Sequence, residues 1–249
     1  MENLEIDATK LTRTLLKVCH AIEEAAANTS RENTGLNDPA TICRELERFS
    51  QIVLHLDKQR HESQTPPTSE EVADLDKLAD HGLKLIAQMM DWAKWLEMSD
   101  ITETLDNLII TLSVWNARHL GSLREIEPVV NALSKVANNN ADPAFMAELS
   151  NIYHEIANAV AADIKQDMEN YDPLRPWRIL NLNYGIVATR SHDTSIMEQA
   201  FEQLLVRFPH DARDFFQEGM EQMDAVGYPE HVRSLMKKYY QLTNNPTLH

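Results

Sequence analysis

The sequence contains little glycine and few aromatic residues. Six of the 249 residues are glycine, and Phe, Trp and Tyr together make up 6% of the chain. The β-branched residues do not cluster into the short alternating runs that strands require. These absences argue against an all-β fold and predict an all-α protein.

Cysteine and long apolar runs are also scarce. The two cysteines, Cys19 and Cys43, are too few for a disulfide framework, and each falls among the apolar positions of a predicted helix. We therefore predict buried, reduced thiols. No apolar run approaches the length that spans a bilayer, and the first ten residues lack the basic and apolar segments of a secretory signal. These observations predict a cytoplasmic location and no membrane partner.

Basic residues are outnumbered, with 23 Lys and Arg against 39 Asp and Glu, for a net charge of −16. Residues 1–174 carry 15 basic and 30 acidic residues (net −15), whereas residues 175–249 carry 8 and 9 (net −1). The electrostatic field of a chain with this net negative charge repels phosphate backbones, which argues against nucleic acid as a partner. The excess of acid increases solubility; the alternative is an acidic surface that binds a basic partner.

Apolar residues recur every three or four positions along most of the chain, which predicts amphipathic helices. Helix starts are marked by Asp38 and Asp142, each followed by proline, and by Thr68 with Glu71, which fit a capping box. Short connections between long helices favour antiparallel pairs. The predicted fold class is therefore all-α, with antiparallel helical hairpins that form a bundle or a short α-solenoid-like array.

Changes in composition predict three segments along the chain. Residues 1–64 are an N-terminal helical hairpin, residues 65–171 a central helical bundle, and residues 172–249 a C-terminal helical segment packed on the central part as one globular unit. The linker ESQTPPTS, Glu62–Ser69, separates the first two segments, since two prolines among Ser and Thr favour extended chain.

Three prolines, Pro143, Pro176 and Pro209, are spaced by 33 residues, the length of short helical-hairpin repeats. Few other positions match in this register, so whether the chain contains a true repeat is left open.

The stretch YDPLRPWRILNLNYGIVATR, Tyr171–Arg190, has no single period. Its second half fits a strand by alternation, and it equally fits a helix with two apolar stripes: Trp177, Leu180, Tyr184 and Val187 in one, Ile179, Leu182 and Ile186 in the other. No second strand is predicted that would pair with it. We therefore predict a helix that starts at Pro176, is apolar on two faces and is buried between neighbours. Gly185 would let one neighbour approach closely.

Arg175, Trp177 and Arg178 are the candidate interaction residues, because Trp and Arg dominate the energetics of protein interfaces. The favoured alternative places Trp177 in the core, since Trp is usually largely buried. Both arginines would then form exposed pairs with local acids such as Asp172, each worth under about 1 kcal/mol.

The sequence carries no motif of catalysis or metal binding. None of the ten histidines has Glu three residues before it, and no H-E-x-x-H, G-x-S-x-G or glycine-rich phosphate loop is present. In the two His-Asp pairs, Asp193 and Asp211 are interpreted as helix N-caps. We therefore predict no catalytic residues, no metal and no cofactor.

Two further groups of polar residues are interpreted as solvated surface and not as binding sites. Asp57 and His61, one helical turn apart, are interpreted as a solvated pair. The carboxylates of Asp74, Asp76 and Asp80 are interpreted as one solvated helix face.

Two Met- and aromatic-rich stripes are interpreted as core, with a groove for an amphipathic partner helix as the alternative. Their members are Met89, Met90, Trp92, Trp95 and Met98 in one, and Phe215, Phe216, Met220 and Met223 in the other. The predicted function is a non-catalytic protein–protein interaction or regulatory scaffold module. Its partner would be a protein with a basic surface or an amphipathic helix, and a homo-oligomer is compatible with the sequence. The alternative is an enzyme or small-ligand-binding protein with a motif-less site between helices.

Overall fold

A computed structural model describes residues 6–29, 35–62, 68–167 and 171–244. Within these ranges the chain forms eleven helices and no strand. The helices are α1 Ala8–Ala27, α2 Pro39–Glu62, α3 Ser69–Trp95, α4 Ser99–Arg118, α5 Glu127–Asn138, α6 Pro143–Ala159, α7 Ala162–Lys165, α8 Pro176–Arg190, α9 Thr194–Arg207, α10 Pro209–Val226 and α11 Glu230–Asn244. The predicted all-α fold is confirmed.

Local sequence determines where many of these helices begin. Thr68 and Glu71 form the predicted capping box: the Glu71 amide donates to the Thr68 hydroxyl at 3.3 Å, and the Thr68 amide donates to the Glu71 carboxylate at 2.7 Å. The Asp142 carboxylate accepts hydrogen bonds from two amides of the first turn of α6, and Asp38 accepts one from Thr41. Each cap satisfies amides that have no partner within the helix.

The 33-residue proline spacing repeats helix starts but not helix packing. Pro143, Pro176 and Pro209 are the first residues of α6, α8 and α10. Three residues later, Met146 of α6 and Ala212 of α10 are fully buried, whereas Ile179 of α8 is half-buried. Helix α8 instead buries Trp177 and Leu180, so its buried face starts at a different register.

The contacts divide the chain into two compact units, and the division falls within α5, between Leu133 and Ser134. The N-terminal unit comprises Glu2–Leu133 with Asn158–Ala162, and the C-terminal unit comprises Ser134–Ala157 with Asp163–His249. The three-segment division predicted above has its boundaries elsewhere, after residues 64 and 171, and stays a prediction.

The N-terminal unit is built around a four-helix bundle. Each of α1, α2 and α3 packs on the helix that follows it, and α1 also packs on α4 and closes the bundle. Cys19 and Cys43 are buried free thiols, as predicted. The hydrogen bond between the two thiols and, secondarily, burial raise the pKa of Cys19 far above its usual value. A parallel bridge joins Leu123 to Val160 within this unit.

Two predictions about solvated carboxylates in this unit are wrong. Asp76 accepts hydrogen bonds from the amide and hydroxyl of Ser122, and Asp80 accepts from the amides of Arg124 and Glu125 at 3.0 and 3.1 Å. These two carboxylates therefore anchor the chain that follows α4, and Asp74 alone is exposed.

Asp57 contradicts the second of these predictions. It accepts a hydrogen bond from the indole of Trp115 at 3.0 Å and lies 3.5 Å from Nε2 of His119. The side chain of His61, its predicted partner, lies outside the described part of the structure.

The C-terminal unit contains two consecutive helical pairs, α8 with α9 and α10 with α11, and α9 also packs on α10 and α11. Aromatic rings from three of these helices meet in its core: Phe201 of α9, Phe216 of α10 and Tyr239 of α11. Among the helices that the structure describes, none combines the length and apolar character that a bilayer span needs.

Candidate functional site

Trp177 is a core residue of the C-terminal unit. It is only 3% exposed, its ring packs against Phe208 at a centroid distance of 6.0 Å, and the guanidinium of Arg207 lies 5.1 Å from the ring centroid. The structure thus agrees with the core alternative for Trp177. The large apolar side chains exposed in this part of the chain are instead Tyr171 and Leu174.

Arg175 is buried as well, at 7% exposure. Its guanidinium donates to both carboxylate oxygens of Asp167, at 2.5 and 2.7 Å, and to the backbone carbonyl of Asp172 at 2.7 Å. The bonds to Asp167 raise the pKa of Arg175. The expected exposed pair with the Asp172 carboxylate is therefore wrong, and a more distant acid satisfies the guanidinium.

Arg178 forms a partly exposed ion pair. Its Nε donates to the Asp211 carboxylate at 2.6 Å, and its Nη1 donates to the carbonyl of Pro173. The predicted N-cap role of Asp211 is wrong, because Asp211 lies within the first turn of α10, whereas Asp193 does cap α9. Arg175 and Arg178 thus connect the start of α8 to the preceding chain and to α10. Partner binding by Arg175, Trp177 and Arg178 stays a prediction.

A groove of about 300 Å³ lies among α8, α10 and α11 of the same unit. Ile186 and Thr189 of α8 line one side, and Met236 of α11 and the preceding Tyr228 line another. Helix α10 contributes the remaining six lining residues: Phe215, Glu218, Gly219, Gln222, Met223 and Val226. The hydroxyl of Thr189 donates to the carbonyl of Gly185. The surface of the groove is mostly apolar.

Two glycines set the shape of this groove. A Cβ on Gly185 would lie 2.7 Å from Cζ of Phe215, and a Cβ on Gly219 would lie 2.7 Å from Sδ of Met236. Both distances are shorter than non-bonded carbon and sulfur atoms tolerate. The absence of these two side chains therefore lets Phe215 and Met236 take the positions in which they line the groove. The predicted close approach at Gly185 is confirmed.

The rim of the groove leaves large aliphatic side chains in contact with water. Ile186 is 47% exposed and Val226 is 63% exposed. Ile186 belongs to the second apolar stripe of α8, which was expected to be buried. The first stripe, from Trp177 to Val187, is buried as predicted. The prediction is wrong for Ile186, because the neighbouring helices do not cover this side chain and the groove lies beside it.

The charged residues of α10 beside the groove are acidic. Glu218 is the single lining residue with a formal charge, among the residues that the structure describes. Asp214 and Glu221, four residues before it and three residues after it, share its face of the helix and are exposed. Nη1 of Arg233 donates a hydrogen bond to the backbone carbonyl of Met223, with 3.4 Å between the nitrogen and the oxygen.

A polar seam joins α6, α8 and α9. Nδ1 of His154 lies 2.9 Å from the Gln203 amide nitrogen, and Arg207 donates to the side-chain carbonyl of Asn181 at 2.9 Å. Burial and, secondarily, the Arg207 guanidinium lower the pKa of His154. Burial raises the pKa of Tyr184 to about 12. The first of these contacts joins α6 to α9 and the second joins α8 to α9, so polar side chains link all three helices.

A second groove, of about 500 Å³, lies among α3, α4 and α5 of the N-terminal unit. Charges of both signs line it, including Lys84, Lys94, Asp91 and Asp106, and Lys84 pairs with Glu125 at 2.8 Å. No apolar surface dominates its lining, so it offers less to an apolar ligand than the groove beside Ile186.

Within the described residues, no group of three or more His, Cys, Asp or Glu side chains is arranged to hold a metal ion. Comparison with known proteins adds no assignment, because no family model, no curated protein and no solved structure matches the chain.

The sequence pattern indicates part of the groove. Phe215 and Met223 belong to a stripe for which a groove was the stated alternative, and both line it. Met89, Met90 and Trp92 of the other stripe are buried, whereas Trp95 is 40% exposed. The signal that pointed to Ile186 was the second apolar stripe of α8, whose exposure depends on where α10 and α11 lie.

Proposed function

We propose that this protein is a non-catalytic protein-interaction module and that the groove among α8, α10 and α11 binds its partner. The observation that carries the proposal is the pair of exposed aliphatic residues, Ile186 and Val226, on the rim of an apolar groove. Water-exposed apolar surface that is concave and contiguous is costly to maintain and is typical of binding sites.

The dimensions of the groove favour insertion of side chains over enclosure of a large molecule. Its volume of about 300 Å³ lies at the lower limit of small-molecule sites. An amphipathic helix can insert a few apolar side chains into such a groove and cover the exposed rim. Burial of that rim would contribute roughly 25 cal/mol for each Å² of apolar surface removed from water.

We also propose a cytoplasmic location. Its support is the pair of free, buried thiols at Cys19 and Cys43, since reduced cysteine is the rule in that compartment.

The experiment compares capture of partners by groove variants and by a matched control. Ile186→Asp and Val226→Asp place a charge on the rim, whereas Val206→Asp places the same charge on α9 at an 83% exposed valine that does not line the groove. All three should leave the helical circular dichroism spectrum and the melting temperature close to those of the parent protein. The first two should lose proteins that the parent and Val206→Asp both retain from a native lysate.

The competing function is that of a small-ligand-binding protein. A thermal-shift screen distinguishes it, because a compound selective for the folded state raises the melting temperature. A saturable shift that Ile186→Asp abolishes, together with unchanged protein capture by that variant, would refute the interaction module.

A further inference from the structure

Building on that proposed function, we infer that the partner presents a basic amphipathic helix. Its apolar face would enter the groove beside Ile186, and its Lys or Arg side chains would pair with Glu218 and the neighbouring carboxylates of α10. Three features of the molecule favour such a partner: the length of the groove, the charge along its edge and the total charge of the chain.

The groove has the length of a short helix. Its lining residues on α10 extend from Phe215 to Val226. That interval corresponds to about 16 Å, or three turns, at roughly 1.5 Å for each residue. A partner helix lying alongside α10 would therefore present apolar residues at i, i+4 and i+7 to the groove.

Carboxylates run along the outer edge of that surface. Asp214, Glu218 and Glu221 lie on one exposed face of α10, with spacings of four and three residues. Successive members of such a stripe are neighbours on the helix surface, at roughly 5–6 Å between Cβ atoms. Basic residues at the same spacing on a partner helix would meet them in register.

Charge complementarity also distinguishes among occupants. An acidic helix would bring like charges beside Glu218, which costs free energy and slows association. A second copy of this chain would bring a further net charge of −16 to an acidic edge. A basic helix meets neither penalty, and apolar insertion would supply most of its affinity, because exposed ion pairs contribute little on their own.

The test uses two synthetic helical peptides with the same leucine stripe and opposite polar faces, one all lysine and one all glutamate. Binding of each to the full chain is measured by fluorescence anisotropy at low and high salt. The lysine peptide should bind, the glutamate peptide should bind at least about tenfold more weakly, and high salt should narrow the difference.

Variants of the chain locate the site. Glu218→Lys should weaken binding of the lysine peptide by about tenfold and strengthen binding of the glutamate peptide, since one charge changes sign at the edge of the groove. Ile186→Asp should abolish binding of the lysine peptide, and Val206→Asp should leave it unchanged. Circular dichroism and melting of each variant verify that the fold is intact.

Each other outcome overturns the inference in a recognisable way. If the two peptides bind with equal affinity, or if Glu218→Lys leaves the affinity for the lysine peptide unchanged, charge does not select the partner. Self-association that Ile186→Asp abolishes, seen by sedimentation, would identify a second copy as the occupant. If neither peptide binds while capture of proteins from the lysate still depends on Ile186 and Val226, the partner is not a basic amphipathic helix, but the proposed protein-interaction function is retained. If capture is independent of both residues, the proposed function itself fails.

Discussion

The ring of Phe215 occupies the space in which a Cβ on Gly185 would stand, with Cζ 2.7 Å from the position of that atom. Gly185 lies in the interior of α8, where glycine costs about 1 kcal/mol relative to alanine. The loss is offset by the packing of α10 against α8 and by the position of a ring that lines the groove. The relationship makes helix stability and groove shape depend on each other.

Gly185→Ala should therefore destabilise the protein despite its better helix propensity. Over-packing costs about 1–3 kcal/mol, against a propensity gain of about 1 kcal/mol, so the net loss should be about 1 kcal/mol. Denaturant midpoints measure it. In a Phe215→Leu background the clash is relieved, and the same substitution should become neutral or stabilising. Additive effects of the two substitutions would contradict the contact.

Truncation of the three candidate interaction residues should rank them by burial. Trp177→Ala should cost about 3–5 kcal/mol, the range for a large buried aromatic. Arg175→Ala should cost about 2–3 kcal/mol, because it removes the charge-assisted hydrogen bonds to Asp167. Arg178→Ala should cost under about 1 kcal/mol, as partly exposed pairs do. Urea titrations of the three variants provide the values, and a nearly unchanged midpoint for Trp177→Ala would disprove its place in the core.

Two aspartates on α3 offer a matched comparison. Asp80 is 9% exposed and accepts two backbone amides, so Asp80→Ala should cost about 2–3 kcal/mol for the donors that lose their partner. Asp74 is exposed beside Lys77, and Asp74→Ala should change stability by under about 0.5 kcal/mol. Hydrogen exchange of the Arg124 and Glu125 amides should accelerate in the first variant alone. Equal effects of the two substitutions would argue against the anchor.

The lowered pKa of His154 predicts a dependence of stability on pH. In the unfolded chain this histidine binds a proton near its usual pKa of 6.5, and in the folded chain only at lower pH. The unfolded state therefore binds more protons in that interval, so stability is complete above about pH 7 and falls as the pH decreases through the folded-state pKa. Denaturant midpoints at pH 7.5 and 5.5 measure the loss. His154→Gln should reduce that loss, and an identical pH dependence in the variant would refute the assignment.

Local sequence is sufficient to predict the fold class and most of the helix starts. The carboxylates of Asp142 and Asp193 cap helices through amides two or three residues away, and Thr68 does so with Glu71. Such contacts form within one turn and need no other part of the chain. Hydrophobic periodicity likewise depends on neighbouring residues alone. After Pro176 it fits a strand and a helix equally well, and the helix is predicted there because no second strand is predicted that would pair with it.

Packing between distant parts of the chain sets the partners of charged residues and the exposure of apolar residues. Asp80 bonds to amides more than forty residues away, and Arg178 to an aspartate 33 residues away. Ile186 and Val187 are adjacent on α8, yet the first is exposed on the groove and the second is buried. Periodicity states which faces of a helix are apolar, but only the positions of the other helices determine which of those faces is covered.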